Sequence, residues 1–170
     1  MCSDPDWLPQ LIALSDCDGD WSRYLETVYA RFCNDLVYNH AYFRRCRVSV
    51  RKIPESQGKG YGFWHCISEG EQEDDRIPDL ERCKRIGWIR AIIEQADLVD
   101  EIDCWPNQRG MENCWLLWFR GEYLVVLAER NGYYLLKTAY QTGRRRSEKL
   151  QKERDEYHKK KPTPPPRDGV

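Results

Sequence analysis

Long apolar runs are missing from this chain of 170 residues, and histidine and methionine are scarce, with three and two copies. No stretch approaches the roughly 18 consecutive apolar residues that a membrane-spanning helix requires. Residues 1–10 also lack a basic segment followed by an apolar one, which is the pattern of a secretory signal. We therefore expect a cytoplasmic protein with no membrane partner.

No two of the eight cysteines form a Cys-x-x-Cys pair, and they are scattered along the chain. Disulfide scaffolds are typical of small secreted domains, whereas a chain with seven tryptophans can build an apolar core without crosslinks. A zinc site would need four ligands from distant positions, and the sequence implies no metal or other cofactor. We expect most cysteines to be small buried hydrophobic residues. Only Cys104 and Cys114 could approach each other across a hairpin.

An overall surplus of charge is also absent, because 27 Lys and Arg stand against 28 Asp and Glu. The balance hides a division along the chain. Residues 143–170 carry ten basic and five acidic side chains, or +5, and residues 1–142 carry 17 and 23, or −6. An acidic body is a poor surface for a polyanion and the basic end is a better one, so the net charge excludes neither kind of partner.

Helical periodicity is clearest over 21–36, where apolar residues recur at the spacing of an amphipathic helix and Asp20 is placed to cap it. A shorter helical turn is expected over 7–14. A second long helix is predicted from Pro78-Asp79 to about residue 96, with Asp79 in its first turn. A charged helix with few apolar anchors is expected from 144 to about 160.

Alternating and continuous apolar patterns predict five strands. A glycine-rich loop at 56–62 separates the first two, and the last three form an antiparallel meander in which Asn131-Gly132 is a strong hairpin signal. Both faces of the meander are apolar, so we expect cover on both sides of the sheet. The predicted strands are 47–53, 62–68, 114–119, 123–128 and 133–140.

These elements predict an α+β fold, in which helices pack on a mostly antiparallel sheet that ends in the three-stranded meander. The chain length suits one domain, which we place at 1–142. Residues 143–161 are expected to form a basic helical extension. The proline-rich residues 162–170 are expected to be a disordered tail.

Two groups of polar residues could carry chemistry. His65 lies among aromatic residues, and it is either a satisfied half-buried histidine or a general acid or base, because imidazole exchanges protons near neutral pH. The second group, the arginine cluster, is either a solvated helix face or a platform for phosphates and bases, since Arg pairs with phosphate and aromatic rings stack on bases. The arginine cluster consists of Arg82, Arg85, Trp88 and Arg90.

The last predicted strand supplies a third group. Strand periodicity places Thr138 and Tyr140 on one face and Lys137 on the other. The two hydroxyl groups either line a cleft or are simply residues that favour strands.

Three long motifs resemble a family of small bacterial proteins associated with phage and mobile elements. They are FWHCISEG at 63–70, EDDRIPDLERCKRIGWIR at 73–90 and YLVVLAERNGYYLLKTAY at 123–140. The resemblance covers roughly residues 6–142. The order of histidine, arginine helix, meander and terminal Thr-x-Tyr is also similar in layout to the barnase–EndoU–colicin–RelE group of metal-independent ribonucleases and toxins, which is an analogy at the level of the fold.

The resemblance implies a toxin-like endoribonuclease that cleaves RNA by transesterification, in which the 2′-hydroxyl attacks the adjacent phosphorus without a metal. His65 would be the acid or base, and Thr138 and Tyr140 would contact the scissile phosphate, with Tyr140 as a second proton-transfer group. The arginine cluster would supply positive charge and bind RNA. The chain departs from the better-known group because it has no clear second catalytic histidine.

A non-catalytic role stands as the alternative. The aromatic sheet or the acidic segment 69–81 could bind a protein, as in a phage-encoded modulator or a neutralising protein. The expected partners are therefore RNA, a protein antitoxin or another protein. The two hypotheses differ in geometry, since catalysis requires His65, Thr138, Tyr140 and an arginine to meet in one cleft.

Overall fold

The computed structural model of the protein describes residues 3–70, residue 72 and residues 75–160. The predicted tail at 162–170 lies outside the described residues. A 3₁₀ turn at Leu14–Cys17 precedes the first α-helix, and a π-helical turn at Asn34–Tyr38 follows it. The α-helices of the described residues are α1 (Trp21–Cys33), α2 (Tyr61–Ile67), α3 (Leu80–Lys84), α4 (Trp88–Gln95) and α5 (Arg144–Lys160).

Six strands form one sheet in the order β1-β2-β10-β9-β8-β7, in which only the β2–β10 pair is parallel. The pairs β3–β4 and β5–β6 are short separate hairpin-like ladders. The predicted α+β fold with a mostly antiparallel sheet is confirmed. The strands are β1 (Ala41–Phe43), β2 (Cys46–Val50), β3 (Glu55–Ser56), β4 (Lys59–Gly60), β5 (Ser68–Glu69), β6 (Ile77–Pro78), β7 (Ile102–Arg109), β8 (Glu112–Phe119), β9 (Tyr123–Glu129) and β10 (Tyr134–Gln141).

The meander has four strands and not the three that the sequence predicts. Its first strand, β7, pairs with β8 along its whole length at the edge of the sheet. Asp103, Pro106 and Gln108 interrupt any apolar alternation in β7, which explains why the pattern hides it. An edge position tolerates Pro106, because one side of an edge strand makes no ladder hydrogen bonds.

The meander buries side chains on both faces, as its composition predicts. On β9, Tyr123, Val125 and Leu127 enter a large core beneath α1 to α4, whereas Leu124 and Val126 enter a smaller core on the opposite face. Alternation along a strand produces this division, because successive side chains point to opposite sides of the sheet. We call these two faces the first face and the second face.

Helix α5 lies against the second face. Its one fully buried residue, Leu150, packs among Trp105, Trp118 and their neighbours, and is 0% exposed. Arg154 Nη1 donates a hydrogen bond to Asp103 Oδ2 at 2.7 Å, which ties the helix to β7. No helix of the described residues, α5 included, combines the length and the apolar character needed to cross a bilayer.

The prediction for α1 is confirmed and the one for the segment before it is wrong. The Asp20 side chain accepts a hydrogen bond from the backbone N–H of Arg23 and caps the helix, as expected. Residues 7–13 do not form a helical turn. Tertiary bonds hold them instead, because Ile12 N donates to the carbonyl of Lys84 and the Trp88 indole N–H donates to that of Pro9.

Residues 62–67 lie in helix α2 where the sequence predicts a strand over 62–68, and only Ser68 begins a strand, β5. The aromatic residues there favour a strand by composition, but Phe63, Cys66 and Ile67 are buried at the i, i+3, i+4 spacing of a helix. A tertiary hydrogen bond also holds the start of the helix, because the Gly62 N–H donates to the carbonyl of Arg51 at 2.7 Å. Burial against the sheet therefore overrides local propensity.

The predicted helix from 79 to 96 is broken into α3 and α4. Asp79 caps α3 through hydrogen bonds from the N–H groups of Glu81 and Arg82. The break ends at Gly87, where a Cβ atom would stand 3.2 Å from the guanidinium carbon of Arg31 on α1. A larger residue at this point would require the end of the Arg31 side chain to shift by a few tenths of an ångström.

The segment around the predicted first strand is more ordered than expected. Strand β2 ends at Val50, and β1 precedes it in a hairpin that the sequence pattern does not reveal. The predicted loop at 56–62 contains the end of β3 and all of β4. Their two-residue turn is Gln57-Gly58, with φ of +52° and +74°, as in a type I′ hairpin.

The seven described cysteines are free thiols, and five of them are buried. Burial raises the pKa of the Cys66, Cys83 and Cys104 thiols to about 12. This confirms that most cysteines behave as small hydrophobic residues. Cys104 lies opposite Leu117 and Cys114 opposite Asn107, so the two cysteines do not pair across the hairpin.

We expect Leu150→Ala to destabilise the protein by roughly 2–5 kcal/mol, because it leaves a cavity between α5 and the second face. Chemical denaturation measures this change. Lys149→Ala, at an exposed neighbour on the same helix, is the control and should shift the free energy of unfolding by less than about 0.5 kcal/mol. Equal effects of the two substitutions would show that α5 does not pack as described.

Candidate functional site

A β-bulge in β10 shapes the site. Leu136 and Ala139 both enter the core of the first face although they are three positions apart, which regular alternation forbids. The register shift between Leu136 and Thr138 accounts for this, because Lys137 is the additional residue. Thr138 and Tyr140 therefore share the second face, as predicted. Lys137 does not point to the opposite side, and the bulge brings it to the same cavity.

Helix α2 lies beside β10 at the bulge. Strand β2 pairs with β10 only as far as Leu136. Beyond that point the Thr138 hydroxyl donates to the backbone carbonyl of His65 at 3.1 Å. The bulge and this hydrogen bond together place the end of α2 next to the hydroxyl-bearing part of β10.

A cleft of about 380 Å³ opens where α2, β10 and the β7–β8 turn meet. Four of the predicted site residues line it, namely His65, Arg82, Thr138 and Tyr140. The geometry that the catalytic hypothesis requires is thus present. The cleft is also lined by Ser68, Glu69, Gly70, Arg76, Arg109, Glu112, Cys114, Val126 and Lys137.

The charge of this cleft is opposite to that of the chain around it. Among the described residues, four permanent cations line it against two carboxylates, whereas residues 1–142 together carry −6. We call it the basic cleft. Its cations are Arg76, Arg82, Arg109 and Lys137, and its carboxylates are Glu69 and Glu112.

Two guanidinium groups are held at one side of the basic cleft by a single carbonyl. Arg76 Nη1 and Arg82 Nη1 both donate to the Ser68 carbonyl, at 3.0 and 2.9 Å. The Arg82 side chain is only 13% exposed, and its guanidinium carbon lies 5.1 Å from the Tyr140 ring centre. This arrangement fixes positive charge next to the ring and hydroxyl of Tyr140.

Several buried polar atoms at the basic cleft lack a hydrogen-bond partner among the described residues. They include the Ser68 hydroxyl, which belongs to a residue that is 0% exposed, together with Arg82 Nε and Arg109 Nη2. Buried polar groups are normally satisfied, so each of these atoms is available to an ordered water, an ion or a ligand. Two of these three groups are cationic donors, so they suit an anion such as phosphate.

The hydroxyl of Tyr140 contacts α5. Arg146 Nε donates a hydrogen bond to the phenolic oxygen at 3.1 Å. Because the oxygen acts as the acceptor here, its own hydrogen is not used in this hydrogen bond. Tyr140 can therefore donate that hydrogen to a phosphate oxygen in the cleft.

His65 is half-buried and held by a stack of planar groups. Its ring lies 4.0 Å from the Tyr61 ring, with an angle of 27° between the planes. The guanidinium carbon of Arg51 lies 4.2 Å from the centre of the Tyr61 ring. This stack restricts the orientation of the imidazole at the rim of the basic cleft.

Glu112 is the carboxylate that sequence reasoning missed. It accepts hydrogen bonds from Arg130 Nη2 at 2.7 Å and lies 3.2 Å from Lys137 Nζ. The hydrogen bond from Arg130, followed by that from Lys137, lowers the pKa of Glu112 below its ordinary value. The group is thus an anion at neutral pH that orients Lys137 at the cleft.

Three members of the arginine cluster lie away from the basic cleft. Arg85 pairs with Glu81 at 2.7 Å, and Arg90 donates to the carbonyl of Asp35 at 2.6 Å. Trp88 is 7% exposed and belongs to the core of the first face. Only Arg82 of the cluster lines the cleft, because contacts elsewhere in the fold hold the other three side chains.

Sequence reasoning missed Arg109 and Lys137 as well. Arg109 and Glu112 flank the Gly110-Met111 turn between β7 and β8, so recognition of β7 would have placed them together. Lys137 reaches the basic cleft only because of the bulge in β10, and no signal in the sequence predicts that bulge. Among the described residues, no cluster of three or more His, Cys, Asp or Glu side chains is arranged to hold a metal ion.

Comparisons of the chain with protein-family models, with curated proteins and with solved structures find no match.

We expect Glu112→Gln to lower the free energy of unfolding at pH 7 by less than about 1 kcal/mol, because the carboxylate is about one-third exposed. A carboxylate with a lowered folded-state pKa stabilises the protein above its unfolded pKa of about 4.3, and this contribution disappears as the pH falls through the folded value. The difference from wild type, measured by urea denaturation, should therefore be larger at pH 7 than at pH 4 or below.

Glu122→Gln is the matched control, because Glu122 is exposed and makes no ion pair among the described residues. Its effect on stability should be small at both pH values. A Glu112→Gln effect that grows as the pH falls would contradict the assignment of the ion pairs.

Proposed function

We propose that the protein is a metal-independent endoribonuclease that cleaves RNA by transesterification. The observation that carries the proposal is the meeting of His65, Thr138, Tyr140 and Arg82 in one basic cleft. These residues come from three separate segments of the chain. Their combination supplies a proton acceptor, a proton donor and fixed positive charge, which are the groups that this reaction requires.

In the proposed reaction the phosphate lies among Arg82, Arg109 and Lys137, and the hydroxyl of Thr138 stands beside it. His65 takes the proton of the 2′-hydroxyl as the 2′-oxygen forms a bond to phosphorus. The bond from phosphorus to the 5′-oxygen breaks, and Tyr140 donates its proton to that leaving oxygen. The products are a 2′,3′-cyclic phosphate and a free 5′-hydroxyl.

The guanidinium groups stabilise the charge that develops on the phosphorane. The hydrogen bond from Arg82 to the Ser68 carbonyl fixes that guanidinium before substrate arrives, so it reorganises little during the reaction. Arg146 has a positioning role, because it holds the phenolic oxygen of Tyr140. Tyr140 takes the place of the second catalytic histidine that the sequence lacks.

The proposal includes a toxin-like role in a bacterial cytoplasm, with cellular RNA as substrate and a neutralising protein as partner. The local positive charge of the basic cleft supports RNA binding despite the acidic surroundings, because phosphate contacts act over short distances in salt. The exposed side chains of Arg144 and Arg145, at the start of α5, add affinity that is independent of sequence.

The test is to incubate the purified protein with total RNA in the presence of a chelator. We expect cleavage that leaves 2′,3′-cyclic phosphate ends, detected by end-group analysis. His65→Ala and Tyr140→Phe should each reduce the rate by at least about a hundredfold, the usual contribution of a proton-transfer group. Expression of the wild-type protein should slow bacterial growth, and the two variants should not.

His40→Ala and Tyr42→Phe are matched controls, because both residues are exposed and lie outside the basic cleft. Each should retain wild-type activity. RNA that stays intact under all conditions, together with normal growth on expression, would exclude the ribonuclease and leave the protein-binding alternative.

A further inference from the structure

A second and larger cavity, of about 540 Å³, lies beside the basic cleft and shares Arg76 with it as a lining residue. The first turn of α1, the β3–β4 hairpin, α2 and the residues near β6 form its walls. Its volume falls in the range of roughly 300–1,000 Å³ that is usual for small-molecule sites. We call it the aromatic pocket, and its main ring-bearing residues are Trp21, Tyr61 and Trp64.

The rings of the aromatic pocket are held in place by the fold. The indole N–H of Trp64 donates to the carbonyls of Ser56 and Lys59, at 3.0 and 3.2 Å, which fixes the ring against the hairpin. Trp21 is the first residue of α1 and is 39% exposed, so a large part of its ring is open to a ligand. Fixed aromatic surfaces bind planar rings at a low entropic cost.

The aromatic pocket and the basic cleft are neighbouring cavities that share a lining residue. Arg76 lines both cavities. Tyr61 lines the aromatic pocket and also a smaller cavity of about 210 Å³, which His65 and Lys137 line as well. A chain molecule with a phosphate in the basic cleft can therefore place its adjoining group in the aromatic pocket.

Polar groups stand at the edge of the aromatic pocket, beside its rings. The side chains of Glu55, Ser56 and Gln57 line the mouth from the hairpin. A planar group with hydrogen-bonding edges suits this combination, and a lipid chain or an aliphatic peptide side chain does not. A nucleobase has both properties, because its faces stack on aromatic rings and its edges accept and donate hydrogen bonds.

We propose that the aromatic pocket binds the base of the nucleotide next to the phosphate in the basic cleft, which makes single-stranded RNA the substrate. The inference rests on the proposed function and specifies its substrate class. A base in a duplex is stacked and paired, so it cannot enter the aromatic pocket. The two cavities thus select an unpaired nucleotide by its phosphate and its base together.

The test uses a fluorescein-labelled tetranucleotide of 2′-O-methyl RNA, which has no free 2′-hydroxyl and is not cleaved. The comparison ligands are the same tetranucleotide with one base-free residue beside the central phosphate, and the same sequence within a duplex. Fluorescence anisotropy with the full-length protein should show about tenfold tighter binding of the single strand with all of its bases. This ratio corresponds to a stacking contribution of about 1.4 kcal/mol.

Trp21→Ala should remove most of this preference, and Trp21→Phe should keep most of it. Tyr42→Ala is the control, because Tyr42 is exposed and lines neither cavity. The thermal melting temperature of each variant shows that it is folded.

Equal binding of the intact and base-free strands by the wild type would overturn this inference alone, as would tighter binding of the duplex. The inference would also be overturned if Trp21→Ala kept the full preference for the intact single strand over the base-free strand. Failure of every ligand to bind would overturn the ribonuclease proposal as well.

Discussion

The architecture depends on a sheet whose central strands are apolar on both faces. Tyr123, Val125 and Leu127 require cover on one side, and Leu124 and Val126 require it on the other. Burial of apolar area is the dominant favourable contribution to folding, so neither face can be left in water. Helices α1 to α4 cover the first face and α5 covers the second. The basic cleft opens where the cover on the second face stops.

Much of this architecture can be read from the sequence, because its strongest signals are periodic. The apolar spacing after Asp20, the meander with Asn131-Gly132 and the charged α5 all appear in the pattern and in the structure. Local signals fail where tertiary contacts decide. Phe63 and its neighbours form a helix because of packing, and one predicted helix is divided into α3 and α4.

Part of the candidate site could also be predicted, because some of its residues stand out in the sequence and others depend on tertiary structure. His65, Thr138 and Tyr140 are conspicuous by residue type, and Arg82 lies in an obviously basic helix. Lys137 reaches the basic cleft only through a bulge, and a bulge depends on which residues must be buried on either side of it. Glu112 and Arg109 depend on the recognition of β7, whose polar residues conceal it.

The two contacts of α5 have a consequence for the order in which the protein matures. Leu150 completes the core of the second face, and Arg146, on the same helix, holds the hydroxyl of Tyr140. During translation α5 leaves the ribosome after every strand of the sheet. Until α5 emerges, the second face therefore lacks its cover and Tyr140 lacks its contact with Arg146.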